Sequence, residues 1–288
     1  MNEAVKGHLL AIFTAICWGT TFISTKILLV DFSPLEILVT RFVIGLTVLY
    51  MIRPHVLKLR HEEHRLYLVV AALSGITLYY LMENIALTYT YASNVGIITA
   101  TAPFFAAILA RFTLKNSHLS GPFFIGFIVS MIGVVLISTE GSGLNFNPKG
   151  DMLALGAAVL SAVYIVVLKK ICTFGYDLIV ITREIFLYGI ILMIPPIIFM
   201  GFDIDLIYLI EPVNLANMLY LGIGASALCF LTWNFSTKFL GIVKATAYIY
   251  VIPVITVITA YFILGEPITW MKTIGMVLAI AGLAISQK

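Results

Sequence analysis

Residues 8–29 read HLLAIFTAICWGTTFISTKILL, a run in which Lys26 is the single Lys, Arg, Asp or Glu. A helix needs about 20 consecutive apolar residues to cross the hydrocarbon core of a bilayer, so this run is long enough to do so. It extends well beyond the apolar core of a secretory signal, and no small-residue cleavage site follows a short core. We therefore predict a retained transmembrane helix here rather than a cleaved signal peptide.

The rest of the chain has the same character. Of its 288 residues 61% are hydrophobic and 11% are charged, and the mean hydropathy is +1.07. A soluble domain carries about 25% charged residues, so this chain could not cover a soluble surface. We predict an all-α polytopic membrane protein with ten transmembrane helices and no soluble domain. The predicted spans are 8–29, 34–52, 66–88, 93–112, 122–139, 151–171, 178–200, 215–237, 244–264 and 268–286.

The first run is also one member of an internal repeat. Several landmarks recur in the same order at an offset of 142 to 150 residues. The matched landmarks are Gly7 and Lys26 with Gly150 and Lys169, Thr40-Arg41 with Thr182-Arg183, Asn84 and Pro103 with Asn234 and Pro253, and Gly126 and Gly133 with Gly275 and Gly282. We infer a duplication, with helices one to five in residues 1–140 and helices six to ten in residues 141–288.

The distribution of basic residues predicts the orientation. With the N-terminus placed in the cytoplasm, twelve Lys and Arg residues fall inside and three fall outside, namely Lys26, Lys149 and Lys272. Basic residues favour the cytoplasmic side, so both termini are predicted to be cytoplasmic. Because each repeat holds an odd number of spans, the second repeat must be inverted. Inverted repeats around a midplane site are typical of secondary transporters.

Several short motifs carry a family resemblance across nearly the whole chain. They are Cys17-Trp18-Gly19-Thr20-Thr21-Phe22 with Lys26, Ala86-Leu87 through Ala92-Ser93 with Pro103, and Leu264-Gly265-Glu266-Pro267 followed by Gly275 and Gly282. Together they resemble the EamA-type transporters of the drug/metabolite transporter (DMT) superfamily. One departure is Lys115-Asn116, which stands where the first repeat of that family is expected to carry Gly-Glu. The resemblance implies a ten-helix permease in the plasma (inner) membrane of a prokaryote, often an exporter of amino acids or other small metabolites.

Glu83 is the leading candidate for a functional charge inside the membrane. It lies in the third predicted span, with Tyr79 and Tyr80 four and three residues before it and Asn84 after it. A carboxylate beside aromatic rings suits an ammonium group, and a buried carboxyl group that exchanges protons makes protons a candidate coupling ion. A structural hydrogen bond, or a side chain that reaches toward the membrane surface, would explain the same residue.

Polar and aromatic residues near mid-span complete the predicted substrate site, which has walls from the first, third, fourth, sixth, eighth and ninth spans. We predict substrate contacts for Trp18, Tyr79, Tyr80, Glu83, Asn84, Tyr164, Trp233, Asn234, Tyr248 and Tyr250. Anchoring at the lipid interface or ordinary packing is the alternative for each aromatic residue.

The repeated residues favour structural roles. Arg41 and Arg183 occupy equivalent places and are expected to satisfy helix-end carbonyls or to reach the membrane surface. Glu184 should point about 100° away from Arg183 and so not simply neutralise it. Pro103 and Pro253 each remove a mid-span backbone donor, which predicts either hinges or static bends. Repeated small residues predict that the fifth and tenth spans form a closely packed scaffold.

These observations favour a secondary transporter of small metabolites such as amino acids, working by alternating access. The nearest rival is a proton-coupled antiporter of amines, organic cations or drugs, and a receptor is a third class. No nucleotide-binding, zinc-protease or nucleophile-elbow motif occurs, so no enzymatic activity, cofactor or metal site is expected. The expected partners are the bilayer and a small-molecule substrate, with no nucleic acid, and the chain is expected to act as a monomer or homodimer.

Overall fold

The computed structural model describes residues 2–113, 121–138, 148–240, 245 and 247–286, with only the backbone described for residues 138, 247, 250 and 286. Every regular element in these ranges is helical, which confirms the predicted all-α class. The α-helices are α1 (Glu3–Leu28), α2 (Pro34–Ile52), α3 (Glu63–Ala72), α4 (Leu78–Tyr89), α5 (Ala92–Thr99), α6 (Ala102–Thr113), α7 (Gly121–Ser138), α8 (Pro148–Cys172), α9 (Leu178–Leu192), α10 (Ile194–Met200), α11 (Leu206–Leu209), α12 (Pro212–Leu219), α13 (Cys229–Leu240), α14 (Ile252–Leu264) and α15 (Trp270–Ser286).

These elements form a multi-pass membrane protein. Within the described residues, seven helical runs are long and apolar enough to cross a bilayer, and three shorter apolar helices occupy the places of the fifth, ninth and tenth predicted spans. The seven runs are Glu3–Leu28, Pro34–Ile52, Glu63–Tyr89, Ala92–Thr113, Pro148–Cys172, Leu178–Met200 and Pro212–Leu240. The count of ten membrane crossings remains a prediction.

Local capping sets the ends of the first helices. Asn2 accepts a hydrogen bond from the Ala4 backbone N–H at 3.2 Å, so α1 begins five residues before the apolar run that predicted it. Ser33 and Glu36 form a reciprocal capping box at the start of α2, where Pro34 occupies the first helical turn. Such caps satisfy backbone donors that a helix start leaves unpaired, and the apolar pattern does not reveal them.

Two of the predicted spans contain a π-helical segment. A π-helical segment, Leu73–Thr77, joins α3 to α4, and a second one, Tyr220–Leu228, joins α12 to α13. We call these the first and second π segments. They lie in the third and eighth spans, which are equivalent in the two halves of the chain. Short π segments widen the turn and are frequent at functional sites.

The helix contacts repeat when the two halves are exchanged. Helix α1 packs against α13 and α14, and α8 correspondingly packs against α4 and against α5 and α6. Helix α2 packs on the second π segment, as α9 packs on the first. This exchange is what a two-fold relation between the halves produces. The repeat boundaries and the inversion across the bilayer remain predictions.

Close packing of α7 against α15 agrees with the predicted scaffold. A Cβ added to Gly133 would lie 2.5 Å from the Gly275 carbonyl oxygen, and one added to Gly282 would lie 2.4 Å from that of Gly126. No side chain fits at these distances, so the small residues allow the two backbones to approach each other.

The two repeated prolines occupy helix breaks rather than continuous helices. Pro103 is the second residue of α6, which follows a break after Thr99, and Pro253 is the second residue of α14, which follows the 3-10 helix Ala247–Val251. Proline is well tolerated in a first helical turn because the N–H groups there have no intrahelical partner. Pro103 still lies in the middle of the run Ala92–Thr113, as predicted, and the structure adds that each proline begins a new helical segment. The hinge role remains a prediction.

Candidate functional site

A cavity of about 480 Å³ lies between the two halves. All of its lining residues except Tyr176 and Leu178 come from the first, third, fourth, sixth, eighth and ninth spans, which confirms the six predicted walls. This volume falls within the range of small-molecule sites, which are concave and mostly apolar with a few polar groups.

Aromatic side chains form much of the wall. The Trp18 ring lies 5.4 Å from that of Trp233 and 5.9 Å from that of Phe230, and Phe230 lies 6.3 Å from Tyr164. The Trp18 indole Nε1 donates a hydrogen bond at 3.1 Å to the carbonyl of Ala225, in the second π segment. A buried indole N–H requires a hydrogen-bond acceptor, and here a backbone carbonyl supplies it. The face of the Trp18 ring can therefore contact the cavity.

The first π segment holds the opposite wall in the same way. A Cβ added to Gly75 would lie 2.2 Å from Cδ2 of Tyr164, so the Tyr164 ring packs directly on the backbone of this segment. Each π segment therefore contacts an aromatic side chain from the first helix of the other half. These two contacts join the halves across the cavity.

Glu83 is the one carboxylate among the described residues that line the cavity. Its side chain is buried, with 2% of its surface exposed. Because Tyr79 lies one helical turn before Glu83, both side chains project from the same face of α4. A negative charge beside aromatic rings can bind a cationic group.

The cavity reaches exposed residues at one end of the bundle. Lys169, Cys172 and Lys238 are exposed and line this mouth together with Tyr176. The Tyr176 hydroxyl forms a 2.7 Å hydrogen bond with Nδ1 of His64, near the start of α3. The start of the third span therefore marks the mouth, and the end of α4 lies at the other end, because this span is about 40 Å long at 1.5 Å per residue.

At that other end the lining residues Thr21, Phe22 and Glu83 are buried, and hydrogen bonds join the end of α4 and the start of α5 to distant side chains. Lys26 donates hydrogen bonds to the carbonyls of Leu87 and Thr90, where α4 ends. The Glu266 carboxylate accepts hydrogen bonds from the backbone N–H of Ala92 at 2.7 Å, from the N–H of Ser93 at 3.2 Å and from the Ser93 hydroxyl at 2.5 Å, where α5 begins. Helix starts favour anions and helix ends favour cations, so both side chains complement the backbone that they bind. We call these hydrogen bonds the Lys26–Glu266 network.

The structure brings seven of the ten predicted contact residues to this cavity. They are Trp18, Tyr79, Tyr80, Glu83, Tyr164, Trp233 and Asn234. Their role in substrate binding remains a prediction.

The other three predicted residues lie elsewhere or are not described. The Asn84 amide donates to the Pro34 carbonyl at 3.0 Å, and the Tyr248 hydroxyl lies 2.7 Å from His8 Nδ1, and neither residue lines the cavity. The Tyr250 side chain is outside the described residues. Of the two predicted hinges, Pro103 lines the cavity, whereas Pro253 is buried beside it.

Sequence reasoning missed several residues of the site. Phe230 precedes Trp233 by three residues on α13, a spacing that places both on one helix face and could have indicated it. Lys169 and Lys238 were not predicted as site residues, although both line the mouth.

Two charged residues have partners that the sequence did not indicate. Arg183 donates a hydrogen bond to Glu184 Oε1 at 2.6 Å, so the expectation that the two would not pair was wrong. The arginine side chain is long enough to reach Glu184 across the 100° that separates adjacent positions on a helix. Glu266 binds the start of α5 rather than that of its own following helix.

The described residues contain no group of three or more His, Cys, Asp or Glu side chains that could hold a metal ion. The His64 ring stacks on that of Phe174, with ring centroids 3.7 Å apart.

Comparison with known proteins establishes the family. The family model described as "EamA-like transporter family" matches residues 5–139 and again residues 148–287. The chain belongs to the EamA-like transporter family. It is therefore a membrane transporter, and its family implies a small-molecule substrate.

Relatives from archaea and bacteria align with nearly the whole chain. An "Uncharacterized transporter" of Archaeoglobus fulgidus is 31% identical, and the alignment covers 98% of this chain and 97% of that protein. An "Uncharacterized transporter" of Clostridium kluyveri is 29% identical, over 98% and 93% of the two chains. A protein of Streptantibioticus cattleyicolor named "Probable terminal-alkyne amino-acid exporter" is 23% identical, over 96% and 92%.

One solved crystal structure shares the fold. It superposes with a TM-score of 0.68 at 19% identity and covers 97% of this chain and 95% of that chain. The names of the relatives are all those of transporters, in keeping with a protein that is not an enzyme.

Proposed function

We propose that this EamA-like protein is a secondary transporter that exports small amphipathic metabolites, with amino acids and related compounds as the leading class. Residues 1–140 and 141–288 act as two inverted halves that alternate access to the cavity between them. The observation that carries the proposal is one aromatic cavity that is open at one end of the bundle and closed at the other. A conformation of this kind is one of the two that alternating access requires.

The name of one relative favours export. Under the predicted orientation the mouth with Lys169 and Lys238 faces the cytoplasm, a conformation that exporters and importers both adopt. The Streptantibioticus cattleyicolor relative is named an amino-acid exporter, which supports this direction and this class.

A proton-coupled antiporter of amines or organic cations is the second candidate. The observation that favours it is Glu83, a buried carboxylate that lines the cavity together with Tyr79 and Tyr80. Amine binding and proton binding at one carboxylate would exclude each other, which is the basis of exchange. In this scheme protons are the coupling ion.

Counterflow into proteoliposomes tests both candidates. Purified protein is reconstituted with unlabelled amino acids or amines inside, and uptake of the labelled compound is followed. We expect Trp233→Ala to reduce uptake at least about tenfold, because the substituted ring lies in the cavity wall. Trp270→Ala is the matched control, since Trp270 is 84% exposed and lies outside the cavity.

Two results would contradict the proposal. Equal uptake by wild type and Trp233→Ala would remove the cavity from the transport path. Failure of every amino acid and amine to exchange, by protein that still unfolds cooperatively on heating, would reject both substrate classes.

A further inference from the structure

Arg41 and Arg183 occupy equivalent places in the two halves, and both are buried beside a tyrosine. They have 0% and 1% of their surface exposed. Each guanidinium carbon lies 4.4 Å from the centre of a tyrosine ring, Tyr80 for Arg41 and Tyr50 for Arg183. Both tyrosines belong to the first half, on α4 and α2, so the cation is repeated but its aromatic neighbour is not.

The hydrogen bonds of the two arginines differ. Arg183 donates to the Arg53 carbonyl and to the Glu184 carboxylate, both at 2.6 Å. Arg41 donates from Nε to the Ser226 hydroxyl at 3.1 Å, while its Nη1 and Nη2 have no partner with hydrogen-bond geometry. A buried charge without a paired acid is costly, so its retention calls for a reason beyond packing.

The acid nearest to Arg41 in the cavity wall is Glu83. Arg41 lies over the Tyr80 ring, and Glu83 follows Tyr80 by three residues on α4, about one helical turn away. No ion pair within 4.0 Å joins the two charges among the described residues. Tyr80 and Glu83 line the cavity whereas Arg41 does not, so this wall has a negative group at its surface and a positive group behind it.

This arrangement discriminates between ligands by charge. A ligand with an amine alone would bind Glu83 and leave the buried site with a net positive charge from Arg41. A ligand with both an amine and an acidic group brings no net charge, and its acidic group is attracted by Arg41. Because charges interact strongly where water is excluded, this difference should be large.

We propose that Arg41 is a positioning residue that makes the cavity select ligands carrying both a cationic and an anionic group over ligands carrying an amine alone. The inference rests on the proposed function, and it chooses between the two substrate classes named there. Arg41 acts through Tyr80 and Glu83 rather than by lining the cavity. Arg183, which already has an acid partner, contributes nothing to this selectivity.

Binding of phenylalanine and phenethylamine tests the proposal, because the two compounds differ only in the carboxylate. Dissociation constants are measured on purified protein by titration calorimetry, and the readout is the ratio of the two. We expect wild type to favour phenylalanine by about tenfold or more, and Arg41→Met to lose that preference. Arg41→Lys, which keeps the charge, should retain most of it, and Arg183→Met is the matched control that should leave the ratio unchanged.

A second variant neutralises Arg41 without removing it. Ser226→Asp places a carboxylate at the position that already contacts Arg41 Nε, in imitation of the pairing of Arg183 with Glu184. Ser226→Asp should abolish the preference for phenylalanine over phenethylamine, as Arg41→Met should. If Arg41→Met does not fold, Ser226→Asp tests the role of Arg41 in its place.

The outcomes separate this inference from the proposed function. Equal affinities for the two compounds in wild type, or an unchanged ratio in a folded Arg41→Met or Ser226→Asp protein, would overturn the role of Arg41 and leave transport intact. Absence of binding by either compound to wild type, together with failure of counterflow, would reject the proposed function and this inference with it.

Discussion

Replacing Glu266 with Gln should open the closed end of the cavity. Its carboxylate accepts three hydrogen bonds from Ala92 and Ser93 at 2.5 to 3.2 Å, and only 6% of the Glu266 surface is exposed. Hydrogen bonds to a charged group are worth about 1.5–3 kcal/mol each, and bonds made by one group do not add fully. Gln keeps one acceptor oxygen but loses the charge, so we expect the closed form to lose about 2 kcal/mol. This loss is about a 30-fold change in the ratio of closed to open molecules.

Distances between spin labels report that ratio. Cysteines in place of Thr88 and Met271, both exposed at the closed end, are labelled in a protein without its native cysteines, and the distance distribution is measured by pulsed electron resonance. We expect a longer distance to become populated in Glu266→Gln and more so in Glu266→Ala. Glu211→Gln is the control, because Glu211 also precedes a helix yet is exposed and makes no side-chain cap.

Identical distance distributions in wild type, Glu266→Gln and Glu266→Ala would refute the reasoning. The carboxylate would then be a local cap for α5 with no part in holding the two ends of the bundle in one conformation.

Two further substitutions test the contacts of the π segments. Gly75→Ala should lower the free energy of unfolding by about 1–3 kcal/mol in a thermal unfolding assay, because the new methyl group would lie 2.2 Å from the Tyr164 ring. Gly121→Ala is the control and should change that free energy little, because the space around its Cβ is open. Trp18→Phe should cost about 1 kcal/mol in that assay through loss of the hydrogen bond to Ala225, and no loss would show that the carbonyl finds another donor.

The sequence predicted the parts of the fold that depend on local composition. Apolar runs of sufficient length give membrane helices because the bilayer leaves few alternatives, so the all-α class and most span positions were correct. Helix ends were less accurate, since the cap at Asn2 depends on a single side-chain hydrogen bond. The π segments were missed because nothing in the apolar pattern distinguishes them from an α-helix.

The sequence could not predict those contacts of the site that join residues far apart along the chain. Mid-span aromatic residues reached the cavity as predicted, because polar edges at that depth need partners that lipid does not supply. Asn84 was placed in the site by its neighbour Glu83, yet one residue turns a helix by about 100°, and its amide instead binds Pro34. The bond from Glu266 to Ala92 joins residues 174 positions apart, and no local pattern predicts it.

The π segments also limit how the length of this chain can change. Deleting one residue from Leu73–Thr77 would allow an ordinary α-helix through the third span, which at 27 residues would remain long enough to cross the membrane. Because a π turn holds one residue more than an α turn, α4 would keep nearly its present orientation relative to α3, and Glu83 would still face the cavity. A deletion of one residue from α3 would instead turn the following residues by about 100° relative to the start of the span. That second deletion would leave an inserted, helical protein with its binding groups on the wrong side.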